Sequence, residues 1–227
     1  MQVNRGAGGV PQKGFSHMLL SLQELSAMTA VILLDLLIPS LLVLLLGVVF
    51  CMIRRERMPV TRPPKRFTPL KFTLLMLGWA LVWTMVQYGL LLPLQNRLLS
   101  GTRDVDAFAS VQGNLPGLLL FLLASWMLGA LGEELAFRGF FQNRIITLFR
   151  NPLWGTVTAV AVTSLLFGAM HAEQGLIGIA STAVDSVFFS VIRYRYKSVW
   201  ASVLVHGFLN SIGLIAFYFA GPLYGLW

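Results

Sequence analysis

Cysteine is almost absent from this chain. Cys51 stands alone among 227 residues, so there is no intramolecular disulfide and no thiolate-rich metal site to hold a fold together. Charge is scarce too, at 11% of residues against roughly a quarter in an average soluble domain. Acidic side chains number nine against seventeen basic ones, and histidine occurs three times, at His17, His171 and His206. What fills the chain instead is apolar: 56% hydrophobic residues, sixteen Phe, six Trp and a mean hydropathy of +0.75. That composition excludes a disordered chain, which has too little apolar surface to bury, and points to lipid as the solvent. A net charge of +8 suggests a nucleic-acid partner only until its distribution is read. The basic residues gather between apolar runs, as on the cytoplasmic side of a membrane protein, so no nucleic-acid partner is expected.

A bilayer core about 30 Å thick takes about 20 apolar residues in helix. Six segments qualify, at about 28–53, 72–94, from 115 onward, 153–171, 176–192 and 199–219. The expected fold class is therefore all-α, a polytopic transmembrane helical bundle of about six spans, rising to seven or eight if short helices are counted. Residues 1–27 read as a tail in which 15–25 form a short interfacial helix, and 28–227 as one membrane domain. The first apolar run begins too late and runs too long for a cleavable signal peptide, so it is expected to stay as an anchor. No internal repeat is present.

Orientation follows from residues 54–71, which carry seven of the seventeen basic residues in one connection. Placing that loop in the cytoplasm and alternating the spans puts Arg138, Arg144, Arg150, Arg193, Arg195 and Lys197 on the same side. Thirteen basic residues then lie inside and four (Arg5, Lys13, Arg97, Arg103) outside, with both termini outside. An integral protein of a bacterial inner membrane is the expectation.

Ionisable groups within apolar spans are costly and by default line a cavity or carry function. Between Pro116 and Pro152 the third segment can form one continuous helix, and the next runs back from the turn near Asn151-Pro152. An antiparallel pair folded about position 152 sets Glu133 opposite His171, bringing a carboxylate and an imidazole to one depth. Glu134 and Arg138 are four apart with the acid first, the favourable order for an ion pair. Glu133 lies about 100° round the helix from Glu134 and so faces a different neighbour. His206 and Asn210, also four apart, stack on one face, and Phe167 precedes His171 by four, where its ring can shape a cavity wall. The plainer reading of these residues is a buried charge network with hydrogen bonds that hold helices together. Asp35 reads as helix packing or a water-facing position and His17 as a solvated side chain, while Glu173 and Asp185 have no assigned role.

The three ordered motifs, Glu133-Glu134 with Arg138, Phe167 with His171, and His206 with Asn210, resemble those of the CPBP (Abi) family, which includes the type II CAAX prenyl endopeptidases. The likeness covers about 115–215, and departs from the family in span number, since members often have eight. It implies an intramembrane endopeptidase acting on a membrane-associated peptide or C-terminal protein segment. In that reading Glu133 activates a water oriented by His171, His206 and Asn210 stabilise the oxyanion, and Glu134, Arg138 and Phe167 support them. No cofactor is favoured. Zinc is the alternative, with Glu133, His171 and His206 as ligands, although the spacing is not HExxH. Two non-peptidase readings stay open: a membrane immunity or scaffold protein, a role also attached to this family, and an ion or small-molecule carrier.

Overall fold

The computed structural model describes residues 63–222, together with helical residues 41, 42, 45 and 47–49 of the first apolar run. Most of the first expected span, the tail with its interfacial helix, and Asp35 and His17 lie outside the described residues. Within them every regular element is a helix. Five are long and apolar enough to cross a membrane: α1 (Pro69–Leu99), α2 (Leu115–Thr147), α3 (Pro152–Ala169), α4 (Gly175–Tyr196, preceded by a 3₁₀ turn at Ala172–Gln174) and α5 (Val199–Ala220). They are the second to sixth segments expected from hydropathy, with ends moved by a few residues. An all-α polytopic bundle is the observed architecture.

Three of these helices start by the same device. Thr68, Asn114 and Asn151 each cap a helix whose first or second residue is proline, and each side-chain oxygen accepts a backbone N–H of the first turn. Proline supplies a φ already suited to the helix and lacks an N–H that would have no partner there. The stop of α4 is different: Lys197 adopts a left-handed φ of 51°, which ends the helix within one residue and sends α5 back alongside it.

The continuous helix expected between Pro116 and Pro152 is observed as α2, with an internal departure from α geometry. The helix is unbroken over 33 residues, but Ser125–Glu133 and Leu135–Phe141 are π-helical, separated by an α-type link at Glu134 whose N–H reaches Ala130 O. Gln142 then bonds back five residues to Phe137 O. Wider turns of this kind are frequent at functional sites, where they re-aim side chains without breaking the helix. In α2 they bracket the acidic pair.

Packing relies on small residues and on polar side chains bonded across helices, as expected where lipid is no worse an apolar solvent than leucine. A Cβ added at Gly168 would stand 2.5 Å from Ile179 O, so glycine is what lets α3 and α4 touch backbone to backbone. Gln142 of α2 donates to Thr163 Oγ1 of α3 (3.0 Å) and Ser190 Oγ of α4 (2.7 Å). Arg193 Nη2 donates to Asn143 Oδ1 at 2.7 Å, and Phe72 meets Tyr196 edge-on at 6.1 Å, tying the start of α1 to the end of α4. At the opposite end Asp104 N–H bonds Gln174 O and Gly113 N–H bonds Tyr218 O. The bundle thus has one end made by the start of α1, the α2–α3 turn and the α4–α5 turn. The other is made by the α1–α2 connection, the α3–α4 turn and the end of α5.

Candidate active site

Glu133, Phe167, His171, His206 and Asn210 all line one cavity of about 170 Å³. Residues from three expected segments therefore meet at one place. Phe167 is close to both histidines, its ring lying 4.9 Å from the His171 ring and 6.0 Å from the His206 ring.

His171 is not inside α3, as the span limits implied. It follows the helix end, at φ −109° and ψ 30°, and the turn that it opens closes at Gly175, whose φ of 72° favours glycine. Its Nδ1 sits 2.8 Å from Phe167 O. A carbonyl only accepts, so Nδ1 carries a proton, and in the neutral ring Nε2 keeps the lone pair. That ring is built to accept a hydrogen bond from a water or a hydroxyl.

Glu133 and Glu134 divide as expected in exposure to the cavity. Glu133, 3% exposed, lines it, while Glu134 and Arg138 are wholly buried behind it. Arg138 Nη1 donates to Glu134 Oε1 at 2.8 Å, and Nη2 donates to Ser186 O and Oγ at 2.9 and 2.6 Å, which anchors α2 to α4. The guanidinium is enclosed by Phe167, Phe189 and Phe137, at 4.9, 5.5 and 6.0 Å from the ring centres. Charge this deep persists only when paired and hydrogen-bonded.

The two acids do not have separate neighbours, however. His206 stands between them, with Nδ1 3.0 Å from Glu134 Oε1 and Nε2 3.9 Å from Glu133 Oε2, and Phe189 is stacked on its ring at 4.6 Å. Glu134 Oε1 already accepts from Arg138, and His206 donates to the same oxygen through Nδ1. Nε2 then donates to an oxyanion only when the ring carries its second proton. Asn210 needs no such change. A Cβ added at Gly129 of α2 would lie 3.5 Å from Asn210 Nδ2, so the missing side chain brings the amide close to the π-helical stretch.

Sequence reasoning left Asp185 and Glu173 without roles, and both line the cavity. Asp185 accepts a 2.6 Å hydrogen bond from Trp83 Nε1, and Glu173 accepts one of 2.7 Å from Gln174 Nε2. Gln174 in turn accepts from Arg103 through both Nε and Nη2, which sets a guanidinium beside the cavity. Gln87 and Tyr88 of α1 also line it; neither stands at helical spacing from a charged residue, so no motif marks them in the sequence. Among the described residues no group of three or more His, Cys, Asp or Glu side chains is gathered to hold a metal ion.

Compared with known proteins, residues 115–212 match the family described as type II CAAX prenyl endopeptidase Rce1-like. An Escherichia coli protein described as an uncharacterized 24.3 kDa protein is 33% identical over 104 residues, 45% of this chain and 46% of that protein. The match thus spans about half the length of that relative. No solved structure matches.

Proposed function

On the premise that the chain belongs to the CPBP family of CAAX-type membrane proteases, to which its residues 115–212 are matched, we propose that it is an intramembrane endopeptidase in which Glu133 is the general base. The observation that carries this reading is the convergence of Glu133, His171, His206 and Asn210 on one cavity. Water held between Glu133 and His171 Nε2 loses a proton to the Glu133 carboxylate as its oxygen adds to a peptide carbonyl carbon. The oxyanion so formed meets Asn210 Nδ2; one preorganised donor is worth roughly 2.7–4 kcal/mol in such sites. Collapse breaks the C–N bond, and the leaving nitrogen takes the proton from Glu133. Arg138 and Glu134 hold His206 rather than touch substrate. The reaction needs only water, and no step here runs through a metal.

Charge supports a side for the reaction as well. Among the described residues the end built from the α2–α3 and α4–α5 turns carries Lys65, Arg66, Lys71, Arg144, Arg150, Arg193, Arg195 and Lys197, with no acid. The other end carries Arg97 and Arg103 against Asp104, Asp106 and Glu173. By the excess of Lys and Arg on cytoplasmic loops, the first end is cytoplasmic. The cavity is lined by Arg103, Val105, Ala107, Glu173 and Gln174 of the second. Substrate segments therefore enter from the non-cytoplasmic face of the membrane.

One experiment addresses both statements: a membrane-impermeant random decapeptide library added to sealed vesicles holding the protein in either orientation, with new termini read by mass spectrometry. Cleavage is expected only in vesicles whose non-cytoplasmic face points outward, and it should survive a chelator. Cleavage only in the inverted vesicles would reverse the side, and loss with chelator would assign the site to zinc. Absence of cleavage in both orientations would favour an immunity or scaffold role.

A further inference from the structure

The catalytic constellation uses α2, the α3–α4 turn and α5, and leaves the α1 wall of the cavity without a function. That wall contains an anomaly. Gln87 is 4% exposed, lines the cavity, and neither its Nε2 nor its Oε1 has a hydrogen-bond partner among the described residues. Buried amides are almost always paired, because the lost hydration is otherwise uncompensated. The backbone is also unusual at this point. Gln87 opens a π-helical turn, Gln87–Leu91, within an otherwise α-helical α1, and Val86 before it offers no side-chain cap. Such a turn swings the side chain off the stripe it would otherwise follow.

We propose that Gln87 is a clamp for the backbone of the substrate. A primary amide offers one acceptor and two donors, and an extended peptide residue projects its N–H and C=O to the same side, as in the doubly bonded pairs of an antiparallel ladder. Nε2 donates to that carbonyl while Oε1 accepts from that N–H. The contact reads no side chain, so it selects an extended conformation rather than a sequence. It holds one residue of the segment against α1 while the scissile carbonyl is presented to Glu133. This inference rests on the peptidase reading for its substrate class. Gln87 lies outside residues 115–212, so the family match does not assign it.

The test compares wild type with Gln87→Leu, which keeps the volume and removes both polar atoms. Probes are fluorescein-labelled decapeptides of the random library, the best of them also synthesised with a single N-methyl group at each position in turn. Three quantities are read: thermal unfolding in detergent, Kd, and the split between KM and kcat. At one position N-methylation should weaken binding to wild type about tenfold, the scale of one or two hydrogen bonds, and should have no such effect on Gln87→Leu. Gln87→Leu itself should show KM and Kd raised about tenfold, kcat within about threefold, and an unfolding temperature equal to or above that of wild type. A lowered unfolding temperature with unchanged KM and Kd would make Gln87 a packing residue and overturn the clamp. A methyl scan that is the same in both proteins would overturn it too. Binding that depends on Gln87 without any cleavage would uphold the clamp and sink the peptidase reading instead.

Discussion

Glu133→Gln is expected to lower kcat/KM for a cleaved peptide by about 10²–10⁴ while leaving the protein folded, the range that a positioned general base contributes. The substitution keeps side-chain volume and removes the one property the reaction needs, a carboxylate able to take a proton from water. Its structural cost should be small, because the contact of Glu133 with His206 Nε2 is long, at 3.9 Å. Glu133→Asp separates charge from position. It retains the carboxylate but withdraws it by one methylene, and displacement by about 1 Å costs on the order of 10² in rate where alignment matters. Full activity in the Gln variant would place the base elsewhere.

Arg138→Met should destabilise the protein by about 3–5 kcal/mol, the usual result of removing one partner of a buried ion pair. Glu134 is wholly buried and would lose the guanidinium that pairs its charge, keeping only neutral or shared donors such as Ser202 and His206. The same change releases Ser186, and with it the tie between α2 and α4. Removing both charges, as Glu134→Gln with Arg138→Met, should recover much of that loss, since no unpaired charge then remains inside. Thermal unfolding in detergent checks the order: wild type highest, the double variant next, Arg138→Met lowest. A single variant as stable as wild type would mean that the pair contributes nothing to folding.

Much of this arrangement was legible in the chain because a membrane magnifies polar exceptions. The Glu134–Arg138 pair follows from i, i+4 spacing, and the approach of Glu133 and His171 from two antiparallel helices folded about Pro152. What escaped notice did so for physical reasons. The π-helical stretches of α2 leave no mark in a pattern of apolar residues that surrounds the helix on all sides, and only the run of Gly129, Gly132 and Gly139 hints at the departure. His171 looked helical because Met170 and Ala172 are unremarkable helix formers; Gly175, held at positive φ, was the signal that the turn had begun earlier. The sharing of His206 by both acids depends on how α5 is rotated against α2, which spacing along one helix does not encode. Gln87 has no partner residue at i±4 to mark it in the sequence, although its unmet hydrogen bonds make it conspicuous in the folded protein.

The central claim is that Glu133 and His171 act on a single water, and a double-mutant cycle tests it most directly. Cleavage of one peptide is measured for wild type, Glu133→Gln, His171→Ala and the combination. Groups that act as a unit are strongly non-additive, so the account predicts a double variant scarcely slower than Glu133→Gln alone. Losses that multiply in the double variant would contradict it, because the two side chains would then be acting on different events.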